Sequence, residues 1–181
     1  TFVPNVSDED IKLGLDFING VTDFVPDRVF GVNEVKPWNI LAITFTNKAA
    51  GELKERIAAK LGDDALDIWA GTFHSICAKI LRMNGDRLGY SSSFTIYDTD
   101  DSKRVVKDIL KQNGVSDKEL SYKMVLNEIS KAKENFISPE EYLNCGVFNY
   151  SRKAIAEIYG EYQKRLKQAD AMDFDDLIVN T

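Results

Sequence analysis

Two short runs place side chains suited to nucleic-acid chemistry at close spacing: Thr44-Phe-Thr-Asn47 and Gly71-Thr-Phe-His-Ser75. An aromatic ring stacks on any base while neighbouring hydroxyls and an amide hold backbone oxygens, which is what single-strand binding requires. Each run leads into a helical pattern, and a helix start offers free N–H groups and a positive dipole end to a phosphate. The same letters also suit a core phenylalanine at 45, a solvated Lys48 and a capping or buried His74, so residue type alone leaves both readings open. A third run, Met172-Asp-Phe-Asp-Asp-Leu177, gathers Asp173, Asp175 and Asp176. Carboxylates this close could hold a metal or, at a helix start, cap free N–H groups. Lys131 and Lys133 cannot share one helical face, and as a bare charge pair they read as a solvated surface. Cys77 and Cys145 sit in unrelated contexts, and with one histidine they complete no usual zinc set. Both are expected as free buried thiols.

The elements that must position these residues are legible around them. Ile40-Leu-Ala-Ile-Thr-Phe45 is a short apolar run, as expected of a buried strand in a parallel sheet. A helix from Ala49 to about Leu61 comes next, with Leu53, Ile57 and Leu61 at four-residue spacing, and Gly62 stops it. Asp67 to Gly71 reads as a second strand, and Thr72 caps a helix from about Phe73 to Met83. Strand–helix–strand–helix with short loops predicts a parallel α/β sheet, whose ligands bind at the C-terminal strand edge. From about Phe94 the pattern turns almost wholly helical. Thr99 or Asp100 can cap a helix over Ser102–Gln112, Ser116–Glu119 and Ser138–Glu141 fit capping boxes, and a long helix spans about Ser151–Gln168. Upstream, Ser7 can cap a short helix from Asp8 to Ile18, and Pro26 and Gly31 then interrupt any long element.

The 181 residues suffice for one domain with a large insertion, and 44% hydrophobic content suffices for a core. No apolar run approaches a membrane span and the N-terminus shows no signal-peptide pattern, so no membrane partner and a cytoplasmic location are expected. The formal charge of −6 argues against a whole-surface nucleic-acid binder. Residues 1–40 hold seven acids against three bases, so the other 141 residues carry only −2 and leave room for a local basic face.

Thr44-Phe-Thr-Asn-Lys-Ala-Ala50 resembles, nearly letter for letter, the DNA-contacting motif Ia of UvrD/Rep/PcrA-type superfamily 1 DNA helicases. Gly71-Thr-Phe-His-Ser75 resembles the next DNA-contacting motif of that family, in the right order and at the expected distance. Phe94-Thr-Ile-Tyr-Asp98 looks like the entry into the family's helical subdomain 1B, Ile129-Ser-Lys-Ala-Lys-Glu-Asn135 like its middle, and Met172–Leu177 like the return to subdomain 1A. The resemblance covers roughly residues 36–181. It implies an α/β fold: a partial RecA-like parallel sheet with a mainly helical inserted subdomain. Residues 1–37 stay unassigned, 38–92 form partial 1A, 93–170 form 1B, and 171–181 return to 1A. It further implies Thr44, Phe45, Asn47, Thr72, His74 and Lys133 as DNA contacts, and Asp173, Asp175 and Asp176 as helix-capping and junction residues, since the family binds its magnesium elsewhere.

The family's Gly-x-x-x-x-Gly-Lys-Thr loop is expected before Trp38, where the chain reads Asp16-Phe-Ile-Asn-Gly-Val-Thr22. Gly20 and Thr22 could take the last Gly and Thr places, but Val21 then stands for the lysine that reaches the phosphates. Residues 1–35 could equally be unrelated to the family. Neither the acidic motif that binds magnesium nor the second RecA-like domain is found. The expectation is therefore a DNA-binding part of an ATP-dependent 3'-5' DNA helicase of repair type. Single-stranded DNA is its partner, duplex DNA through 1B a second one, and the chain is inactive alone and monomeric. ATP and Mg2+ are implied for the full-length family member, with no cofactor and no catalytic or metal residue in this chain. A stand-alone, ATP-independent DNA-binding or repair-partner module is the alternative.

Overall fold

The computed structural model describes residues 7–23, 35–116, 119–144 and 150–181. The expectations at Pro26, Gly31 and Cys145 lie outside these residues. The chain divides into two compact units, one of residues 1–42 and 53–70, the other of residues 43–52 and 71–181.

In the first unit, α1 (Asp8–Ile18) starts as expected: the Ser7 side chain accepts from the Asp10 N–H. Its apolar residues Ile11, Leu15 and Ile18 remain exposed. Gly20 comes after it with φ +70°, and residues 19–23 are not helical. A phosphate-binding loop needs a strand before it and a helix after it. Asp16–Ile18 instead close α1, so a helix stands where the strand before such a loop would be.

Strand β1 (Leu41–Thr44) forms where the apolar run predicts one, and it pairs with β2 (Trp69–Thr72) in a two-stranded sheet. It is not the buried strand expected: Leu41 is 54% and Ile43 36% exposed. The apolar pattern is that of a sheet interior, but among the described residues the sheet has only these two strands, which cannot cover both faces of β1.

The second unit carries the larger core. β3 (Thr95–Tyr97) and β4 (Ala171–Asp173) pair in parallel, with Thr95 opposite Ala171 and Tyr97 opposite Asp173. The chain leaves at Tyr97 and returns to the adjacent strand at Ala171. Between them lie α4 (Thr99–Gln112), α5 (Tyr122–Glu134), α6 (Pro139–Asn144) and α7 (Tyr150–Gln168), with no strand among the described residues. This is the mixed α/β architecture with a helical excursion that the patterns predict. Val106, Ile109, Val125, Ile129, Tyr162 and Leu166 bury the apolar faces of α4, α5 and α7 against one another. A smaller cluster of Leu81, Phe94, Met172 and Leu177 joins α3 (Phe73–Asn84) to β4 and α8 (Phe174–Val179).

Two helix starts fall elsewhere than expected. Asp98, rather than Thr99 or Asp100, caps α4, its carboxylate accepting from the N–H groups of Asp100 and Asp101 while Asp101 reaches back. Ser116 and Glu119 do bond, the Ser116 N–H donating to Glu119 Oε2 at 3.0 Å, but α5 begins only after Ser121, whose hydroxyl accepts from the Met124 N–H. The Ser138–Glu141 box closes as expected.

Candidate nucleic-acid interface

Both sequence runs end at the start of a helix, and both starts open onto one groove of about 500 Å³. Helix α2 (Asn47–Leu61) is entered through Thr46, whose Oγ1 accepts from the Ala49 N–H at 3.2 Å. Helix α3 is entered through Thr72, whose Oγ1 accepts from the Ser75 N–H, while the Ser75 hydroxyl donates to the Thr72 carbonyl at 2.8 Å. These caps satisfy one N–H in each first turn and leave others for a ligand.

Gly71 is required by this second cap. A Cβ there would lie 2.5 Å from Ser75 Oγ and 3.4 Å from Ile76 Cδ1. Gly71→Ala should thus displace the Ser75 hydroxyl from Thr72 and cost ~1 kcal/mol, the worth of one such hydrogen bond. Urea unfolding checks it: the cost should shrink when Ser75→Ala is already present, and equal costs in both backgrounds would refute the close-approach explanation.

The groove is lined by Phe45, Thr46, Asn47, Thr72, His74 and Ser75, backed by Ala78, Ile96, Phe174 and Leu177. Phe45 stands 87% exposed, its ring centroid 5.3 Å from that of Phe73 at a tilt of 37°. Across the groove, Phe174 is 47% exposed and meets His74 edge-on at 5.5 Å. An exposed ring is free to accept a flat partner on its face. Among the described residues, no lysine, arginine or carboxylate lines the groove.

Four of the six residues expected from sequence therefore meet here: Phe45, Asn47, Thr72 and His74. Thr72 is 8% exposed, and its hydroxyl oxygen already caps α3. Thr44 is half-buried in β1 and does not line the groove. Lys133 requires correction. It is 2% exposed, with Nζ 2.6 Å from Asp173 Oδ2 and 2.8 Å from Asp176 Oδ1. A lysine so enclosed cannot reach a phosphate, and of the pair only Lys131 is exposed, itself 3.1 Å from Glu128.

Asp173 and Asp176 are the capping residues expected: the Asp173 carboxylate accepts from the Asp176 N–H at 2.8 Å, and Asp176 answers at the Asp173 N–H. Tyr162 OH also donates to Asp173, and Gln163 to Asp176. With their oxygens held this way, the two carboxylates do not fit a magnesium ion, and no group of three metal-ligating side chains occurs among the described residues.

Sequence reasoning missed Thr46, Ser75, Ala78, Ile96, Phe174 and Leu177 as groove residues. Thr46 and Ser75 lay inside the two runs, and only their side-chain directions were missing. Phe174 was obscured by the carboxylates around it.

Comparison with known proteins places these residues in a wider set. A family described as the UvrD/REP helicase N-terminal domain matches residues 28–181. The ATP-dependent DNA helicase PcrA of Bacillus subtilis (strain 168) is 46% identical over 147 residues, 81% of this chain and 20% of the relative. The ATP-dependent DNA helicase PcrA of Staphylococcus aureus (strain Mu50) is 43% identical over 148 residues, 82% of this chain and 20% of the relative. The chain thus spans about a fifth of the length of the curated relatives it matches.

Proposed function

The chain belongs to the UvrD/REP helicase family, and from that premise we propose that its groove grips single-stranded DNA within an ATP-dependent DNA helicase. Residues 38–92 and 171–181 act as the DNA-contacting part of subdomain 1A, and residues 93–170 as subdomain 1B. The observation that carries this reading is the convergence of an exposed stacking ring, Phe45, with two helix N-termini in one groove. Phe45 stacks on a base, Asn47 and His74 bond the sugar–phosphate chain, and the first turns of α2 and α3 receive phosphates. Thr72 contributes by holding the α3 start, and Thr44 by ending the strand that delivers Phe45. Taken by itself the chain hydrolyses no ATP: a helix, Asp8–Ile18, precedes Gly20 where a strand would be needed, and Val21 stands in the place of the lysine that reaches the phosphates.

A lining without ionic side chains makes binding weak, independent of base sequence and only slightly sensitive to salt. Fluorescence anisotropy of a labelled oligonucleotide should give a log–log salt slope no steeper than about −1.4, two phosphates at the single-strand value. A slope of about −4 or steeper would move the binding site to a basic surface elsewhere and sink this reading.

A second reading, duplex binding through the helical excursion, has its own observation. Lys103, Lys107 and Lys111 recur every four residues along α4, with Lys107 Nζ 4.5 Å above the Tyr122 ring. A hairpin duplex in the same titration separates it: preference for duplex over single strand, with the steeper slope, belongs to α4.

A further inference from the structure

Lys133 is a buried cation that neither the groove nor the core explains. It reaches from α5 across to the first turn of α8, forty residues on in sequence, and finds two carboxylates there. Those carboxylates are the cap of α8: Asp173 is its N-cap and Asp176 closes the box from the third position. Between them sits Phe174, the first residue of α8 and the ring that faces His74 edge-on. One cation thus balances the two charges that bracket the aromatic wall of the groove.

Two acids this close and this buried cannot both stay ionised without a cation beside them. If the ammonium is removed, one carboxylate must take a proton or turn outward to water. Either response breaks the reciprocal bonds between Asp173 and Asp176 that fix the backbone at Phe174. Tyr162, whose hydroxyl donates to Asp173 at 2.8 Å, and Gln163, which donates to Asp176 at 3.0 Å, hold the same turn from α7. Helices α5 and α7 belong to the helical excursion, whereas Phe174 lies just after the return strand β4.

We propose that Lys133 is a positioning residue for the DNA groove: through Asp173 and Asp176 it sets the Phe174 ring against His74, so the helical excursion controls the groove wall. The effect on DNA rests on the reading of the groove as a single-strand site, but the ring placement does not.

The test therefore has one arm without DNA. The chain holds one histidine, His74, so its imidazole proton signals in NMR are unambiguous. Phe174→Leu removes the ring current, and its spectrum marks where the His74 signals go when the ring is gone. In Lys133→Met those signals should move toward that position, and adding Asp176→Asn, which removes the unbalanced charge, should bring them back. His74 signals that stay at the parent position in folded Lys133→Met overturn the proposal. Should Lys133→Met not fold, Tyr162→Phe takes its place, with a smaller displacement expected and the same overturning result.

The DNA arm uses the full chain and a labelled single strand. Lys133→Met should weaken binding about twofold to tenfold, the range of one edge-on aromatic contact, with an unchanged salt slope. In the Phe174→Ala background it should weaken binding no further. Additive losses refute action through Phe174, and a flattened slope refutes positioning in favour of a direct phosphate contact. If Phe45→Ala binds like the parent, the groove reading fails while the NMR arm still decides the placement of the ring.

Discussion

Phe45→Ala should lower the affinity of the chain for single-stranded DNA about fivefold to a hundredfold, since base–aromatic stacking is worth ~1–3 kcal/mol and each 1.4 kcal/mol is tenfold. The ring is 87% exposed and touches one other ring, that of Phe73, so truncation opens no cavity. Unfolding stability should therefore stay within about 0.5 kcal/mol of the parent, as for surface substitutions generally. That separation matters, because a loss of affinity without a loss of stability can only come from the lost stacking face. Phe45→Leu keeps apolar area but no π-face and should fall between parent and alanine. Anisotropy with a labelled oligonucleotide measures the affinities and urea unfolding the stabilities. A folded Phe45→Ala chain that binds like the parent would remove the carrying observation and leave α4 as the nucleic-acid surface.

The parts of this groove legible from sequence were those written in local chemistry. A hydroxyl before a periodic apolar stretch is a cap wherever it lies, and so Thr72 and the start of α3 were readable to the residue. At α4 the sequence Asp98-Thr-Asp100 supplies three residues able to cap, and only the backbone at Asp98, extended at φ −83° and ψ −176°, selects among them. The apolar run at β1 told that these residues suit a covered strand. It could not tell how much of the cover the described residues supply, and Leu41 and Ile43 stand exposed.

Lys133 failed for a different reason. Lysines near a DNA motif are counted along the chain, whereas burial is decided by what arrives from elsewhere, here Asp173 and Asp176 at the far end of the helical excursion. The clue was present in the carboxylate run itself. Three acids in four residues need a counter-charge if any are to be buried, and the helical period of α5 puts Lys133 on the face that carries Val125, Ile129 and Ala132. The same run hid Phe174, because an aromatic amid capping acids is read with its neighbours.

Asp173→Ala should be among the most damaging single substitutions in the second unit, costing about 3–5 kcal/mol, the usual loss on breaking a buried ion pair. It removes the N-cap of α8, the closer partner of Lys133 and the acceptor for Tyr162 OH together. The pH dependence identifies the cause. Burial alone pushes the Asp173 carboxyl up, but the Lys133 ammonium, with donors from the Asp176 N–H and Tyr162, overcomes it and holds the group below the ordinary 3.8. Its contribution is present above that value and lost as pH falls through the depressed one. Asp176 behaves oppositely: burial, joined by the Asp173 charge and only partly offset by Lys133, raises it above 3.8. Its contribution is present below 3.8 and lost as pH rises through the raised value. Stability of the parent relative to Asp176→Asn should therefore increase as pH falls through that raised value toward 3.8. In Asp173→Ala the like charge is gone and Asp176 has Lys133 to itself, so the same difference should flatten. Urea midpoints from about pH 4 to 7 test both statements. A cost below about 1 kcal/mol, or an acid-side rise that survives Asp173→Ala, would mean that Lys133 is not balancing two buried carboxylates.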